Sequence, residues 1–256
     1  MAQGCIATQT AAPAAAAAHR ALVLCSGGLD STVLLAQAVE RFGAADVRAL
    51  SIAYGQKHAR ELEAARAVTD HYGVSLRTMD LAPLFADSNS SLLVHSAAAV
   101  PQGTYAEQQA QAPDAPVSTY VPFRNGLFLS AAAAEALALG CDVLCYGAHA
   151  DDAAGSAYPD CSEAFVGAMA RAIAEGTGGA LALEAPFATW TKARIVAEGL
   201  RLKAPFELTW SCYEGGQRPC GQCGTCLDRA AAFAANGVAD PALDLPSGRP
   251  VTAPTF

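Results

Sequence analysis

The sequence predicts an α/β fold: a doubly wound, mostly parallel sheet with helices on both faces, followed by a small cysteine-containing appendage. Two observations support this prediction. From residue 21 onward, short apolar runs alternate with longer amphipathic segments, which is the pattern of repeated strand–helix units. The chain has 256 residues, and 52% of them are hydrophobic, which is sufficient for the core of one large domain.

The predicted elements follow that alternation. The first strand, 21–25, is a buried apolar run, and the amphipathic segment 31–42 is the first helix. Gly73 marks the end of the second helix, because glycine is favoured just beyond a helix C-terminus, and Thr191 caps the last helix. The remaining strands are predicted at 47–53, 74–79, 143–146 and 180–185, and the remaining helices at 58–72, 127–139, 162–175 and 191–202.

Two regions fall outside the alternation. Residues 1–20 are rich in alanine without a periodic pattern, and we expect a disordered extension. Residues 82–119 carry four prolines, two serine runs and a glutamine-rich patch, and a loop of this length predicts a lid or a dimer-facing excursion. We therefore divide the chain into the extension, an α/β domain at 21–205, an appendage at 206–240 and a tail at 241–256.

The charge balance and the apolar runs narrow the class of partner. With 16 basic and 24 acidic residues the formal net charge is −8, which argues against a nucleic-acid partner because such binding needs a basic face. No apolar run approaches the roughly 20 residues that span a bilayer, so no membrane partner is expected. The N-terminus lacks the positive start and apolar centre of a secretory signal, and we expect a cytoplasmic protein whose nine cysteines are reduced.

The turn between the first strand and the first helix, Ser-Gly-Gly-Leu-Asp-Ser at 26–31, predicts a phosphate-binding loop. Its small residues allow backbone N–H groups to converge on a phosphate, and the helix adds its positive N-terminal dipole. Ser26 and Ser31 supply hydroxyl donors. The loop has no Walker A lysine, so we do not expect it to work as a kinase or GTPase loop. The alternative is a simple glycine turn with a serine capping the helix.

Three sets of polar residues come directly after strands or before a helix. The first follows the second strand and is expected to face the same cleft as the loop, because parallel strands end at one edge of a sheet. The second precedes a helix and can hold phosphate or adenine; the third, after the fourth strand, can hold Mg²⁺ or a polar substrate. Each set also has a simpler explanation: the first can be a solvated first helical turn, the second can contain an ordinary helix N-cap, and the third can be a solvated acidic loop. The sets are Tyr54, Gln56, Lys57 and His58; Arg124 and Asn125; and His149, Asp151, Asp152 and Asp160.

Four cysteines form a cluster near the C-terminus with the spacing Cys-x7-Cys-x2-Cys-x2-Cys. The short steps allow backbone N–H groups to turn toward the thiolates, and four thiolates satisfy tetrahedral Zn²⁺. An iron–sulfur cluster and free thiols are the alternatives, and structural zinc is favoured over both. Because four protein ligands leave no open position, catalysis at this metal is not expected. The ligands are Cys212, Cys220, Cys223 and Cys226.

These motifs together carry a resemblance to a known family. The loop at 26–31 resembles the pyrophosphate-binding loop of the N-type ATP pyrophosphatases. From residue 20 to 236, the combined motifs resemble the 7-cyano-7-deazaguanine synthase family within that superfamily, and no single motif would be specific enough. Besides the loop and the cysteines, the motifs are Tyr-Gly-Gln-Lys-His at 54–58, Tyr-Val-Pro-Phe-Arg-Asn at 120–125, Tyr-Pro-Asp-Cys at 158–161, Thr-Lys-Ala at 191–193 and Leu-Thr-Trp-Ser-Cys at 208–212.

The resemblance implies an adenine nucleotide alpha hydrolase-like domain and an ATP-dependent carbon–nitrogen ligase of queuosine biosynthesis. The implied substrates are 7-carboxy-7-deazaguanine, ammonia and ATP. The reaction would pass through an adenylated carboxylate, an amide and an adenylated amide to 7-cyano-7-deazaguanine (preQ0), releasing AMP and pyrophosphate. The resemblance also implies Mg²⁺, one structural Zn²⁺ per subunit and a homodimer.

The resemblance also implies roles for residues in the matching motifs. Asp30 is the expected contact to Mg²⁺ and pyrophosphate, and Ser31 and Lys57 complete the expected catalytic set. The expected ATP-binding residues are Leu24, Cys25, Ser26, Gly27, Gly28, Leu29, Asp30, Ser31, Thr32, Arg124 and Asn125. The expected substrate contacts are Tyr54, Gln56, His58, Asp151, Asp152, Tyr158, Asp160 and Lys192, and the four clustered cysteines are the zinc ligands.

Two departures from the family pattern affect the expected substrate site. Phe123 stands where many relatives have glycine, which would narrow that wall, and residues 152–158 differ from the commonest Asp-x-Ser-Gly-Tyr form. Two other functions stay open: another ATP pyrophosphatase, such as a tRNA sulfur-transfer enzyme or an amide-forming synthetase, and a non-catalytic, zinc-stabilised nucleotide-binding protein. The net charge disfavours the tRNA enzyme, and Asp30 with the strand-end motifs disfavours the non-catalytic protein.

Overall fold

The computed structural model describes residues 19–57, 60–111, 115–153 and 157–243. The expected N-terminal extension, apart from its last two residues, and the tail from 244 onward lie outside this part of the chain. The strands are β1 (Ala21–Leu24), β2 (Val47–Ala53), β3 (Ser75–Asp80), β4 (Val143–Cys145) and β5 (Ala182–Glu184). The helices are α1 (Leu29–Phe42), α2 (Arg60–Tyr72), α3 (Tyr105–Gln111), α4 (Arg124–Ala138), α5 (Ala150–Ala153), α6 (Glu163–Gly176), α7 (Lys192–Leu202) and α8 (Gly224–Ala235).

The five strands form one sheet in the order β3-β2-β1-β4-β5, and their pairings are all parallel. The central strand is β1, in which Ala21 pairs with Val47 of β2 on one side and Val143 of β4 on the other. Because the strand order runs outward from β1 in both directions, a crevice opens beyond the carboxyl ends of β1 and β4, where ligands bind in folds of this type. The predicted doubly wound parallel sheet is confirmed.

Helices cover both faces of the sheet, and the side chains of β1 alternate between two apolar clusters. Ala21 and Val23 belong to the cluster that includes side chains of α1 and α7, whereas Leu22 belongs to the cluster that includes side chains of α4 and α6. All three residues are fully buried. The sheet is therefore enclosed on both faces, as expected for parallel strands joined by helical crossovers.

Two helices begin earlier than the sequence predicts, and this moves candidate site residues into their first turns. Helix α1 begins at Leu29, two residues before its predicted start, and so includes Asp30 in its first turn. Helix α4 begins at Arg124 and its N-cap is Phe123. The alternative interpretation of Asn125 as a simple N-cap is therefore wrong, and its side chain is available for other contacts.

The structure also tests the predicted cap of α7 and the predicted lengths of β4 and β5. The side chain of Thr191 accepts a 3.3 Å hydrogen bond from the N–H of Arg194, which confirms the predicted cap of α7. Strands β4 and β5 have three residues each and are shorter than predicted. Within the described ranges, no helix combines the length and the apolar character that a membrane span requires.

The described part of the 82–119 segment contains a short 3-10 turn, helix α3 and little other regular structure. It packs against the cysteine cluster, where an isolated β-bridge joins Gln102 to Cys223. The N–H of Gly103 also donates a 2.9 Å hydrogen bond to the carbonyl of Gln222. The function of this segment as a lid or a dimer contact stays a prediction.

A buried ion pair attaches helix α8, and the sequence did not predict it. Arg229 donates two hydrogen bonds, of 2.6 and 2.9 Å, to the carboxylate of Asp240, and both residues are buried. The guanidinium also donates to Oγ1 of Thr209 at 2.6 Å and to the carbonyl of Phe206 at 3.2 Å. Buried charges need such paired, hydrogen-bonded surroundings. Phe233 of α8 packs in the same cluster as β1, so this helix contributes to the main core.

Candidate functional site

Close backbone contacts hold the turn after β1, and Gly27 makes them possible. Its φ of +83° lies in the left-handed region, which glycine adopts without steric cost. A Cβ at this position would lie 2.3 Å from the backbone N of Ala65 and 2.4 Å from the carbonyl O of Glu61, both in α2. The carbonyl of Gly27 accepts a 3.0 Å hydrogen bond from the N–H of Trp210. The turn is therefore fixed between α2 and the segment that leads to the cysteines.

Hydroxyl groups surround the turn at the start of α1. Oγ of Ser26 accepts a 3.2 Å hydrogen bond from the N–H of Gly28 and lies 3.1 Å from Oγ of Ser31. Oγ1 of Thr32 donates to the carbonyl of Gly28 at 2.8 Å. Ser26 is exposed, so a hydroxyl and the N-terminal dipole of α1 are available to an anion.

A cavity of about 210 Å³ lies beside this turn, at the carboxyl ends of β1 and β2. It joins the turn to the first residues of α4. The predicted ligand-binding residues that line it are Leu24, Cys25, Ser26, Gly28, Asp30, Ser31, Tyr54, Gln56, Arg124 and Asn125. The structure therefore brings together three motifs that are far apart in the sequence.

Asp30 lies in the cavity wall within a network of charged groups. Its Oδ2 is 3.4 Å from Nζ of Lys192 and 3.7 Å from Nε2 of His149. The same Nε2 lies 3.2 Å from Oδ2 of Asp152, a contact that lacks hydrogen-bond geometry. Burial would raise the pKa of Asp30. The electrostatic effects of Lys192 and His149 are stronger than that of burial and hold the pKa below its usual range. Asp30 is therefore ionised near neutral pH.

Lys192 is the cation of this network. Burial would lower its pKa, but the charges of Asp30, Asp152 and Asp228 raise it above the ordinary value. The backbone N–H of Lys192 donates a 2.7 Å hydrogen bond to Oδ2 of Asp151. Asp228 comes from α8 and was not predicted; burial raises the pKa of its carboxyl. An ammonium that keeps its charge beside the turn suits a negatively charged phosphate group.

The second oxygen of Asp30 fits a metal ion. This Oδ1 is buried and finds no hydrogen-bond partner among the residues that the structure describes. A buried carboxylate oxygen is costly unless a cation or ordered water supplies its missing contact. Mg²⁺ needs only one or two protein carboxylates when phosphate oxygens and water complete its shell. Asp30 is thus a suitable Mg²⁺ ligand beside bound phosphates.

Arg124 places a positive charge elsewhere in the cavity wall. Its guanidinium donates a 3.0 Å hydrogen bond to Oη of Tyr54 and lies 4.9 Å from the centre of the Tyr54 ring. Burial would lower the pKa of Arg124, but electrostatic interactions with Tyr54 and Tyr213 are stronger than this effect and raise the pKa above its ordinary value. The N–H of Tyr54 donates to Oε1 of Gln56 at 2.9 Å, which fixes the stretch after β2. The charge of Arg124 suits a carboxylate or a phosphate.

Asn125 and Asp160 form a connected pair next to Arg124. The N–H of Asn125 donates to Oδ2 of Asp160 at 2.9 Å, and its Nδ2 donates to the Asp160 carbonyl at 3.4 Å. Oη of Tyr146 donates to the same carbonyl at 3.4 Å. The other carboxylate oxygen of Asp160, Oδ1, is buried and has no partner within the described part of the chain. An acceptor with unused capacity thus lies beside the wall that Asn125 and Tyr146 form.

Several predicted residues are absent from the cavity lining: Gly27, Leu29, Thr32, Lys57, Asp151, Asp152, Tyr158, Asp160 and Lys192. Nζ of Lys57 donates to the carbonyl of Ala98 at 2.7 Å, within the 82–119 segment. Leu29 and Thr32 are buried on α1 and do not line the cavity. His58 lies outside the described residues. Lys57, Leu29 and Thr32 are thus not brought into the site, and their predicted roles, like that of His58, stay predictions.

Nine residues that line the cavity were not predicted from the sequence; four of them have polar side chains, Ser51, Glu61, Tyr146 and Tyr213, and the other five are Leu50, Ile52, Leu62, Phe128 and Gly147. Ser51 and Tyr146 lie near the carboxyl ends of β2 and β4, and this position was the available signal. Tyr213 directly follows Cys212, a predicted zinc ligand, and its Oη lies 3.5 Å from Oη of Tyr158. No spacing rule predicts that contact, because it joins distant segments of the chain.

Phe123 does not narrow the cavity. Its side chain is 59% exposed, does not line the cavity, and packs edge-on against Phe165 with ring centroids 6.0 Å apart. Its φ of +55° is left-handed, a region that glycine adopts more readily than phenylalanine. A Cβ on Gly126 would lie 2.5 Å from the Phe123 ring, so the ring covers that glycine. The expected narrowing of the wall therefore does not occur. The other departure, 152–158, includes residues outside the described part.

The four cysteines converge on one point. Their Sγ atoms all lie within 4.8 Å of one another, and those of Cys220 and Cys226 are 4.0 Å apart. Zinc–sulfur bonds of about 2.3 Å in a tetrahedron separate the sulfurs by about 3.8 Å, so the cluster fits zinc. The N–H groups of Gln222 and Cys223 point to Sγ of Cys220 at 3.4 and 3.3 Å. The predicted four-cysteine cluster is confirmed as a site that fits this metal.

The thiols of the cluster share protons: Cys212 is held as a thiolate, while the hydrogen bonds to Cys212 raise the pKa values of Cys223 and Cys226. Hydrogen bonds from Cys223 and Cys226 hold the pKa of Cys212 well below its usual range. The N–H of Cys220 also points to Sγ of Cys212 at 3.3 Å. A thiolate is the form that binds metal. A zinc ion would therefore take the place of protons that the sulfurs share.

Comparison with known proteins identifies the family. The family model described as queuosine biosynthesis protein QueC matches residues 20–237. The 7-cyano-7-deazaguanine synthase of Caldicellulosiruptor saccharolyticus is 42% identical over 222 residues, which cover 87% of this chain and 94% of that protein. The 7-cyano-7-deazaguanine synthase of Archaeoglobus fulgidus is 42% identical over 225 residues, which cover 88% of this chain and 90% of that protein.

Among solved structures, NMN synthetase from Francisella tularensis aligns with a TM-score of 0.48 and 16% identity, over 87% of this chain and 79% of that chain. A likeness this distant has no bearing on function. The family match, by contrast, covers the sheet, the cavity and the four cysteines. The chain therefore belongs to the QueC family.

Proposed function

We propose that this protein makes 7-cyano-7-deazaguanine from 7-carboxy-7-deazaguanine, ammonia and ATP in queuosine biosynthesis. Relatives with 42% identity carry the name of this activity, and the family name refers to the same pathway. The observation that carries the proposal is the cavity that joins the phosphate-binding turn to Arg124 and Asn125. This cavity can therefore hold a nucleotide phosphate next to a substrate carboxylate.

The first half of the reaction gives the carboxylate a leaving group. A carboxylate oxygen attacks the α-phosphate of ATP, the bond to pyrophosphate breaks, and ammonia then displaces AMP to give the amide. We assign Ser26, Ser31 and the N-terminus of α1 to the departing pyrophosphate, with Lys192 supplying a positive charge. Mg²⁺ held by Asp30 would neutralise charge on the phosphates.

The second half uses the same groups again. The amide oxygen attacks the α-phosphate of another ATP and releases pyrophosphate; AMP then leaves with the former amide oxygen, and the nitrogen gives up its two protons. Neither half needs a protein nucleophile, so the protein contributes position and electrostatics. Lys57 can join the catalytic set only after its amine leaves the carbonyl of Ala98.

We assign Asp160 to the purine edge. A deazaguanine presents two neighbouring donors, the ring N1–H and the 2-amino group. Oδ1 of Asp160 is a buried acceptor for which the described residues supply no partner, and its other oxygen is fixed by Asn125. Tyr54, Gln56 and Tyr158 remain candidate contacts. The charge of Arg124 suits the substrate carboxylate.

The variant Asp160→Asn tests this assignment. Asparagine keeps one oxygen for the N–H of Asn125 and replaces the other oxygen with an amide donor. We expect kcat/KM for 7-carboxy-7-deazaguanine to fall roughly 10- to 100-fold, as for one lost hydrogen bond to a charged group. An analogue with a 2-oxo group should be used better by the variant than by the wild type. An equal loss for both compounds would remove Asp160 from the purine contacts.

The proposal also includes the assembly and location of the protein. We propose one structural zinc per subunit at the four cysteines, a homodimer, no nucleic-acid partner and a cytoplasmic location. We also propose 21–205 as the ATP-binding domain and 206–240 as the zinc-binding appendage, with 1–20 and 241–256 as extensions. Sedimentation of the zinc-loaded protein, with and without tRNA, tests the dimer and the absence of a nucleic-acid complex.

The central experiment is incubation of the zinc-loaded protein with 7-carboxy-7-deazaguanine, ammonium, Mg²⁺ and ATP, followed by mass spectrometry. We expect the amide as an intermediate, the nitrile as the product and AMP as the nucleotide product. The control omits ammonium and should yield no amide. If folded, zinc-loaded protein forms neither AMP nor nitrile, the proposed function is wrong.

A further inference from the structure

Tyr213 connects the cysteine cluster to the cavity. It directly follows the zinc ligand Cys212, and its side chain lines the cavity. Its Oη lies 2.9 Å from Oη of Tyr105 and 3.5 Å from Oη of Tyr158. Tyr105 and Tyr158 are both buried, so these hydroxyl contacts are shielded from water. One side chain thus contacts two other segments and the ligand space.

The 82–119 segment is attached to the same cluster. The β-bridge between Gln102 and Cys223 and the hydrogen bond from Gly103 to Gln222 join the two backbones. The ring of Tyr105 covers Gly224, where an added Cβ would lie 2.9 Å from a ring carbon. The segment therefore rests on backbone that the metal ligands shape.

The network also reaches the purine side of the cavity. Oη of Tyr158 hydrogen-bonds to Oγ1 of Thr119 as well as approaching Tyr213. Tyr158 lies two residues before Asp160, in the stretch that contacts Asn125. Movement of Tyr213 would therefore disturb the wall next to Asn125.

We propose that Tyr213 is a positioning residue through which metal binding fixes the purine end of the cavity. Zinc holds Cys212, Cys212 fixes the backbone of Tyr213, and the Tyr213 hydroxyl holds Tyr105 and Tyr158 in place. The name of the purine rests on the proposed function; the coupling of Tyr213 to the 82–119 segment does not. The phosphate-binding turn is held by α2 and by the N–H of Trp210, and these contacts do not involve the Tyr213 hydroxyl, so its removal should leave ATP binding unchanged.

The first test is steady-state kinetics of zinc-loaded Tyr213→Phe, which keeps the ring and removes the hydroxyl. We expect KM for the purine acid to rise about fivefold, as for one lost buried hydrogen bond, with KM for ATP unchanged. Zinc content should stay at one per chain. Equal rises in both KM values, no change in either, or loss of zinc would overturn the proposal.

Two further variants control this test. Tyr72→Phe removes a buried hydroxyl for which the structure shows no partner in its described ranges, so it should change neither KM. Tyr105→Phe removes the other side of the 2.9 Å contact. The double variant Tyr105→Phe/Tyr213→Phe should therefore be little worse than either single variant, because both remove the same interaction. Independent, multiplied effects would contradict a shared contact.

Hydrogen exchange supplies a readout that needs no turnover. The N–H of Gly103 is bonded to the carbonyl of Gln222 and reports on attachment of the 82–119 segment. In zinc-loaded Tyr213→Phe, we expect its exchange to accelerate about fivefold relative to wild type and Tyr72→Phe. Unchanged exchange would overturn the coupling, even if the wild type makes nitrile. Faster exchange in a protein that makes no nitrile would retain the coupling and reject only the proposed function.

Discussion

The phosphate-binding turn and the cysteine segment contribute to the same cavity, but the chain holds them by different means. The turn stands between β1 and α1, with Gly27 packed against the backbone of α2. The cysteine segment between Cys212 and Cys223, all of it described, contains no helix or strand. Contacts among sulfur atoms and with the 82–119 segment hold it instead, together with a 2.9 Å hydrogen bond from the side chain of Arg60 in α2 to the carbonyl of Gln217.

This difference indicates which wall depends on solution conditions. A chelator does not affect packing against a helix backbone. Cysteine side chains, by contrast, hold zinc only while their thiols are deprotonated. Acid or a chelator should therefore loosen the cysteine segment before it affects the turn. Variants that alter one wall at a time test this difference.

The largest effect is expected from Cys223→Ser. Structural zinc contributes about 10–16 kcal/mol of apparent binding free energy in small zinc domains, and three cysteines hold it much less well. We expect loss of zinc together with a large fall in the melting temperature, measured by elemental analysis and calorimetry. Cys145→Ser, which changes a buried thiol in β4, should retain zinc. Full zinc occupancy in Cys223→Ser would mean that the ligands are wrongly assigned.

The next largest effect on stability is expected from Gly27→Ala. The new Cβ would lie 2.3 Å from a backbone nitrogen of α2, at a φ of +83°. We expect a loss of about 3 kcal/mol or more, because the clash adds to the about 1–2 kcal/mol of a left-handed residue. Gly73→Ala is the control, since it has a φ of +65° and no atom within 4 Å of its Cβ. Equal urea midpoints for the two variants would contradict the close contact with α2.

Asp30→Asn should affect catalysis more than folding. We expect AMP release to fall by roughly 10²- to 10³-fold, as for loss of one preorganised electrostatic group, while zinc content is unchanged. The folded-state pKa of Asp30 lies below its ordinary value of 3.8, so its ion pair stabilises the fold above about pH 4 and is lost as the pH falls through the folded-state pKa. The variant should therefore show a flatter loss of stability below pH 4. Retained turnover would remove Asp30 from the catalytic set.

The smallest effect is expected from Phe123→Gly, because Phe123 belongs to neither wall. Glycine relieves the left-handed backbone but loses the contacts of a ring that is 59% exposed. We expect the free energy of unfolding to change by no more than about 1 kcal/mol, with both KM values unchanged. A clear change in KM for the purine acid would place Phe123 in the site after all.

Local patterns were sufficient to predict the parallel sheet, the phosphate-binding turn and the cysteine cluster. A buried apolar run followed by small residues specifies β1 and its turn, and the cysteine spacing specifies a site for one ion. The boundaries were less accurate: α4 begins at Arg124 instead of Leu127, because tertiary contacts between Asn125 and Asp160 extend its first turn.

Contacts between distant segments could not be predicted in this way. The bond between Tyr105 and Tyr213 joins residues 108 positions apart, and the contact of Arg229 with Thr209 joins loop to helix. Neither has a periodicity or spacing that a single sequence displays. The position of Lys57 against Ala98 likewise depends on how the 82–119 segment folds back.

The ion pair between Arg229 and Asp240 has a consequence for folding on the ribosome. Synthesis adds about 5–20 residues per second, so β1 leaves the ribosome many seconds before α8. Until Asp240 has emerged, burial of Arg229 would leave a charge without its partner, at a cost of about 3–5 kcal/mol. Phe233, which packs with the central strand, is also missing during this interval. The apolar cluster that α1 and α7 form on this face of the sheet should therefore stay incomplete until translation has passed Asp240.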